Sequence, residues 1–188
     1  MKLVKLALVT GLTAAALFGG TYNLDKSHSN VGFKVKHLMI SNVSGKFDNF
    51  TGSFDYDEKT KTLKSLNGNI EVSSINTENE KRDAHLKSAD FFDAQKYPNI
   101  TFKLLEVKDD KAYGEFTMHG VTKKISLDYE NNGTITDPWG NQRVGLELSG
   151  KINRKDYGVT WNKALEAGGV MVGDKVKLTI DLEGILAK

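Results

Sequence analysis

Residues 85–102 read HLKSADFFDAQKYPNITF, and this stretch decides the fold. At its start Glu78, Glu80, Lys81, Arg82, Ala84 and Lys87 favour a helix that no Pro or Gly interrupts. Its end excludes one. Tyr97 precedes Pro98 and is pushed towards extended geometry, after which Ile100 and Phe102 open an alternating run. The stretch therefore joins a short helix to a strand. Phe91 and Phe92 stand between the two parts. As neighbours in sequence they are expected on different faces, one as a plug and the other as core.

Working outward from this joint, the chain reads as strands. Val31, Phe33 and Val35 share one parity while Lys34 and Lys36 take the other, the pattern of a half-buried strand. The next run changes phase: Val43, Gly45 and Phe47 are odd, whereas Phe50, Gly52, Phe54 and Tyr56 are even. A bulge near Asp48 and Asn49 would keep one face inward and let a long strand bend. Asp57 to Thr60 reads as a turn, followed by Leu66, Gly68, Ile70 and Val72 on one face. Beyond the joint come Ile100, Phe102 and Leu104, a turn at Asp109 and Asp110, then Ala112, Gly114, Phe116 and Met118. His119 and Gly120 reverse the chain into Val121, Ile125, Leu127 and Tyr129. Asn132–Gly133 is a hairpin signal. Val144, Leu146, Leu148 and Ile152 form a further strand, and Val176, Leu178, Ile180 and Leu182 the last.

The connections are too short for parallel crossovers, so the class is mainly β, an antiparallel meander. About eight strands, each apolar on one face, suit a single closed barrel with a short helix in its central connection. A barrel of that strand number is either filled by its own side chains or holds one slender ligand. Gly45, Gly52, Gly68 and Gly114 fall on the inward parity. Each either removes volume from the lumen or permits a bend, and four of them favour a tunnel.

The chain has 188 residues, 26 basic against 24 acidic, and two prolines, which fits one globular domain. Residues 1–20 combine Lys2 and Lys5 with an uncharged apolar run and small residues, the order of a secretory signal peptide. Cleavage is expected between 16 and 20, leaving a domain over 21–188. Without Lys2 and Lys5 the charges balance at 24 against 24, so nucleic acid is not expected as a partner. There is no cysteine, hence no disulfide and no lipoprotein anchor. The expected location is periplasmic or secreted, in a bacterium.

Motifs for catalysis are missing: no G-x-S-x-G, no S-x-x-K, no phosphate loop and no H-E-x-x-H occurs. His28, His37, His85 and His119 are scattered without ligand spacing, and His37 shares the inward parity of Val35. No catalytic residue, metal ligand or cofactor is assigned.

Several segments carry a resemblance. Residues 85–102, Ser44-Gly45-Lys46-Phe47, Gly120-Val121-Thr122-Lys123 and Asp156-Tyr157-Gly158-Val159-Thr160-Trp161-Asn162 fall in the order found in the YceI-like family of periplasmic polyisoprenoid-binding proteins, which the chain resembles from Tyr22 to Ile185. The resemblance implies a lipocalin-like barrel enclosing a long alkyl or isoprenoid chain. The wall of such a tunnel would comprise Phe33, Val35, Phe47, Phe54, Ile70, Phe91, Phe92, Phe102, Phe116, Met118, Leu127 and Trp161. Arg82, His85, Ser88 and Asp90, clustered beside the two phenylalanines, would hold the polar head. A second candidate mouth lies at Trp161 and Asn162. The reading is a carrier of one long-chain amphiphile, such as an isoprenoid, a quinone-like lipid or a fatty amide. Two alternatives remain: a lipid-modifying enzyme using His37, or His85 with Asp90, and a filled barrel that binds another protein. Transient contact with a membrane or lipid donor, and a homodimer, stay open.

Overall fold

Alternation of apolar and charged residues becomes eleven strand segments in one sheet, in a computed structural model that describes residues 19–166 and 168–188. In chain order these are β1 (Gly20–Leu24), β2 (Asn30–His37), β3 (Ser41–Phe47), β4 (Phe50–Asp57), β5 (Thr62–Glu71) and β6 (Ile75–Asn76). The helix α1 (Glu80–Lys87) follows, then β7 (Asn99–Lys108), β8 (Lys111–Met118), β9 (Val121–Thr136), β10 (Gln142–Asn153) and β11 (Val172–Leu186). Of the expected leader only Gly19 and Gly20 fall among the described residues, and Gly20 opens β1. No helix among the described residues is long and apolar enough to cross a membrane.

The segments make eight staves. β2 pairs with β3 while β1 pairs with β4, so residues 20–37 and 41–57 are two long interrupted strands running antiparallel. β5 and β6 are likewise successive parts of one stave, paired with β4 and β3. From there the sheet proceeds through β7, β8, β9 and β10 to β11. The ring closes where the end of β11 pairs with β1, Tyr22 opposite Leu186 and Leu24 opposite Gly184. The result is the closed eight-strand antiparallel barrel expected from the alternation. The start of β1 and the end of β11 lie side by side, with the Ala187 amide donating to the Thr21 carbonyl at 2.8 Å.

The expected break at Asp48 and Asn49 is present. Their amides donate to the backbone and hydroxyl oxygens of Ser74, and Phe47 and Phe50 on either side are both buried. The hairpin expected at Asn132–Gly133 is elsewhere. Those residues lie inside β9, where Asn131 faces Leu146 and Gly133 faces Gly145, leaving Asn132 as the extra residue of a bulge. Gly133 supplies a φ of +97°, so the glycine that suits a hairpin turn serves the bulge instead. The chain reverses at residues 137–141, because the Asp137 carboxylate accepts from the amides of Trp139 and Asn141 and from the Asn141 side chain.

The interior divides into two halves. One is solid: Tyr22, Phe54, Tyr56, Leu63, Leu66, Leu104, Ala112, Leu146 and Leu182 fill the pole where β1 meets the end of β11. Tyr22 stacks on Phe54 at 5.4 Å between ring centres and meets Tyr56 edge-on at 6.3 Å. The other half, around Phe47, Phe91, Ile100, Phe116, Met118 and Ile152, is capped by α1 and the joint after it. Asn79 caps α1 by accepting from the Arg82 amide, and Leu86 is its inward contact.

Candidate functional site

The capped half contains a chamber. The space there is narrow, about 100 Å³ being wide enough for water-sized groups, and its lining is almost wholly apolar. Its wall is Val31, Phe33, Val35 and Phe47 from β2 and β3, Ile70 from β5, and Ile100, Phe116, Met118 and Ile152 from β7, β8 and β10. Val176, Leu178 and Ile180 of β11 complete it, and Leu86, Phe91 and Phe92 roof it. Phe91 and Phe92 thus face the same space, contrary to the expectation of one plug and one core residue. They sit in a turn, where neither strand nor helix periodicity separates neighbours.

The inward glycines have a different use from the one read in the sequence. A side chain on Gly45 would meet the Phe33 ring at 2.5 Å, and one on Gly114 the Phe102 ring at 2.4 Å. These glycines make room for aromatic rings of the wall. Gly52 abuts the Asn67 carbonyl and Leu24, and Gly68 alone of the four faces open space. That space is a smaller cleft, which shares Val31, Ile70 and Ile180 with the chamber and adds Phe102, Leu127 and Leu148.

Arg154 is the one charged group in the chamber lining, and it is 4% exposed. Its guanidinium donates to the carbonyls of Gly173 (3.0 Å), Val159 (2.7 Å) and Trp161 (2.8 Å). Burial pulls its pKa down, but a guanidinium remains charged at any ordinary pH. Its hydrogen bonds go to backbone, and Nη2 also lies 3.6 Å from the Asp174 carboxylate, so it fastens the segment carrying Trp161 to the start of β11.

Against the chamber, and sharing Phe33, Val35, Leu86, Phe91 and Val172 with it, lies a hollow on the surface side that forms its mouth, lined by Lys36, His37, Val43, Arg82, His85, Trp161 and Met171. His85 lies edge-on to Phe91 and to Trp161, each at 5.0 Å, and Phe91 lies 5.0 Å from Trp161. The two candidate mouths of the sequence are therefore one mouth, with α1 on one side and the Trp161 segment on the other.

The predicted wall residues distribute unevenly. Phe33, Val35, Phe47, Ile70, Phe91, Phe92, Phe116 and Met118 line the chamber, Phe102 and Leu127 line the smaller cleft, and Trp161 lines the mouth. Phe54 is packed in the solid half, 1% exposed. Of the predicted head-group residues, Arg82 and His85 reach the mouth. Arg82 is also bound to Thr77, through Nε to its hydroxyl (2.7 Å) and Nη2 to its carbonyl (2.8 Å). Asp90 accepts from His85 Nε2 at 2.8 Å on the exposed side. Ser88 bonds the His85 carbonyl at the end of α1, and Asn162 bonds both backbone groups of Val172. Neither of these two faces the hollow. His119 contacts the Tyr157 carbonyl and the Tyr97 ring, away from the mouth.

The sequence reading left out Leu86, Ile100, Ile152, Arg154, Val159, Val172, Val176, Leu178 and Ile180. Parity already placed Val176, Leu178 and Ile180 on one face of the last strand, and a wall that took in every strand's apolar face would have included them. Nothing in the spacing marks Arg154.

A closed eight-stave antiparallel barrel with an apolar chamber at one pole is the architecture of the small lipocalin-like binding barrels. The chain belongs to the YceI-like family: that domain's model matches residues 22–184. It is 41% identical over 163 residues to the UPF0312 protein SA2479 of Staphylococcus aureus strain N315, covering 86% of this chain and 95% of that one. A crystal structure of the Campylobacter jejuni YCEI protein superposes with a TM-score of 0.69 at 38% identity, covering 89% of this chain and 98% of that one. A polyisoprenoid binding domain from Saccharophagus degradans, implicated in plant cell wall breakdown, shares the fold with a TM-score of 0.68 at 16% identity, covering 88% and 98%.

Proposed function

We propose that this protein is a carrier holding one long-chain amphiphile, its tail in the chamber and its polar head at the mouth beside Arg82 and His85. The observation that carries the reading is the chamber itself: apolar throughout except for Arg154, whose hydrogen bonds go to backbone. The fold shared with the Saccharophagus degradans polyisoprenoid binding domain supports an isoprenoid or fatty chain as the occupant. The order of residues 1–20 supports export, and with it a periplasmic or secreted location.

The test is titration with alcohols of increasing chain length, alongside mass spectrometry of lipid extracted from gently purified protein. Each buried methylene contributes about 0.8 kcal/mol, so affinity rises about fourfold per methylene and levels off when the chamber is full. Val176→Trp, which fills the chamber from β11, abolishes the dependence. An affinity independent of chain length in the wild type would refute the reading. The His85–Asp90 pair supports a second reading, lipid modification at the mouth. Chemical change of the bound lipid on incubation would favour it, and recovery of unchanged lipid the carrier.

A further inference from the structure

We propose that the β2–β3 hairpin and the lysines behind it form a docking surface for an anionic lipid bilayer, which sets the mouth of the chamber against the headgroups. This rests on the carrier reading. Three observations converge on one edge of the barrel. The first is the hairpin tip. Leu38 and Met39 both take a positive φ, and the turn they form holds Met39 and Ile40 out at 54% and 83% exposure. Large apolar side chains presented this way suit insertion at the headgroup boundary.

The second is the charge behind the tip. Lys151, Lys177 and Lys34 lie directly opposite one another on the adjacent strands β10, β11 and β2, with Lys36 and Lys175 further towards the tip. All five are exposed, and none has an ion pair or a side-chain hydrogen bond among the described residues. Nearby carboxylates offset little of this charge: Glu78 shares an outer hollow with Lys34, Lys46 and Lys177, and Lys46 pairs with Asp48 at 3.1 Å. Like charges directly opposite one another destabilise a sheet. A row of three in a domain of balanced net charge is a segregated basic face, complementary to a negatively charged surface.

The third is position. Lys36, His37 and Met171 line the mouth, the Leu38 amide donates to the Met171 carbonyl at 2.9 Å, and Met39 lies beside Gly169. A bilayer that received Met39 and Ile40 and faced Lys36 and Lys175 would lie across the opening. A chain could then pass between membrane and chamber without crossing water.

The test is sedimentation of the whole protein with vesicles of pure phosphatidylcholine or of phosphatidylcholine with about one-third phosphatidylglycerol. Wild type and variants share one N-terminus, so any affinity of residues 1–18 for lipid cancels in the comparison. The wild type should partition at least tenfold more strongly onto the anionic vesicles, and lose that preference when salt rises from about 0.05 M to about 0.5 M. Each lysine is worth roughly fivefold near such a surface, so a K34Q/K151Q/K175Q/K177Q variant, which leaves the mouth lining untouched, should lose binding by well over tenfold. A Met39→Ser/Ile40→Ser variant should lose binding to both kinds of vesicle. Equal partitioning of wild type and the lysine variant, or no preference for anionic vesicles, would overturn the proposal. A fluorescent long-chain fatty acid is titrated into the same proteins. Retained chain binding beside lost vesicle binding supports the docking surface and shows the fold intact. Vesicle binding by a wild type that takes up no chain would leave the surface standing and remove the carrier reading.

Discussion

Arg154 has no counterpart in the alternation that builds the barrel, and its environment explains why a charge is kept there. Removing it leaves the carbonyls of Val159, Trp161 and Gly173 without their donor and frees one side of the mouth. Arg154→Ala should lower stability by about 2–4 kcal/mol, a fall of roughly 5–15 °C in melting midpoint. Lysine should not rescue it, because one ammonium cannot reproduce a planar fork aimed at several carbonyls; a midpoint within 2 °C of wild type, roughly, would contradict this account. A second arginine works at the opposite pole. Arg143 bonds Asp137, Asp25 and Glu183, at 2.7, 2.8 and 2.5 Å. Contact with His28 and then with Arg143 holds the Asp25 carboxyl down at about 2. Burial alone would raise Asp137, but bonds from the Asn141 side chain, Arg143 and two backbone amides outweigh it and hold it well below the usual range. Both folded values are depressed, so their stabilisation is fully present above the unfolded value near 4 and is lost as pH falls towards 2. Arg143→Met should therefore melt well below wild type at neutral pH, with the gap narrowing through acid; a gap constant with pH would exclude the coupling.

At the scale of elements, the bulge in β9 makes the sharpest prediction. Nothing lies within 4 Å of a side chain placed on Gly133, so Gly133→Ala meets no clash and tests backbone conformation alone. At a φ of +97° an L-residue should destabilise the barrel by about 1–2 kcal/mol, read as a shift in the urea midpoint. An unchanged midpoint would mean that β9 re-registers. The same element shows what the sequence can disclose. Parity along β2, β8, β10 and β11 reads directly as wall against surface, because one face is buried and the period is two. A dipeptide such as Asn132–Gly133 discloses a backbone conformation only, and both a hairpin turn and a bulge use it. Which one forms is decided four residues after Gly133 by the Asp137 carboxylate, a contact that no periodicity announces. The joint at residues 85–102 was legible as a joint. That it brings His85 against Trp161, 76 positions away in the chain, depends on closure of the whole barrel.

For the whole molecule, the division into a solid half and a hollow half predicts a ligand-dependent stability. An emptied apolar chamber leaves its wall without packing partners, so protein stripped of lipid should melt below protein as isolated. A ligand at a hundredfold excess over its Kd adds about 2.7 kcal/mol, which for a domain of this size raises the midpoint by roughly 5–10 °C. Val176→Trp should melt alike with and without lipid, since its chamber is already occupied; a ligand response as large as that of wild type would show the chain binding elsewhere. The solid half also settles how the molecule can be handled. The start of β1 and the C-terminal residues lie together there, joined by the bond from Ala187 to Thr21, at the pole furthest from the opening. A biotin or fusion partner attached at residue 188 would orient every copy on a sensor chip with its mouth outward. A circular permutant linking residue 188 back to residue 21 and cut at the exposed Met39–Ile40 turn would move both new termini to the rim, turning a tag into a gate.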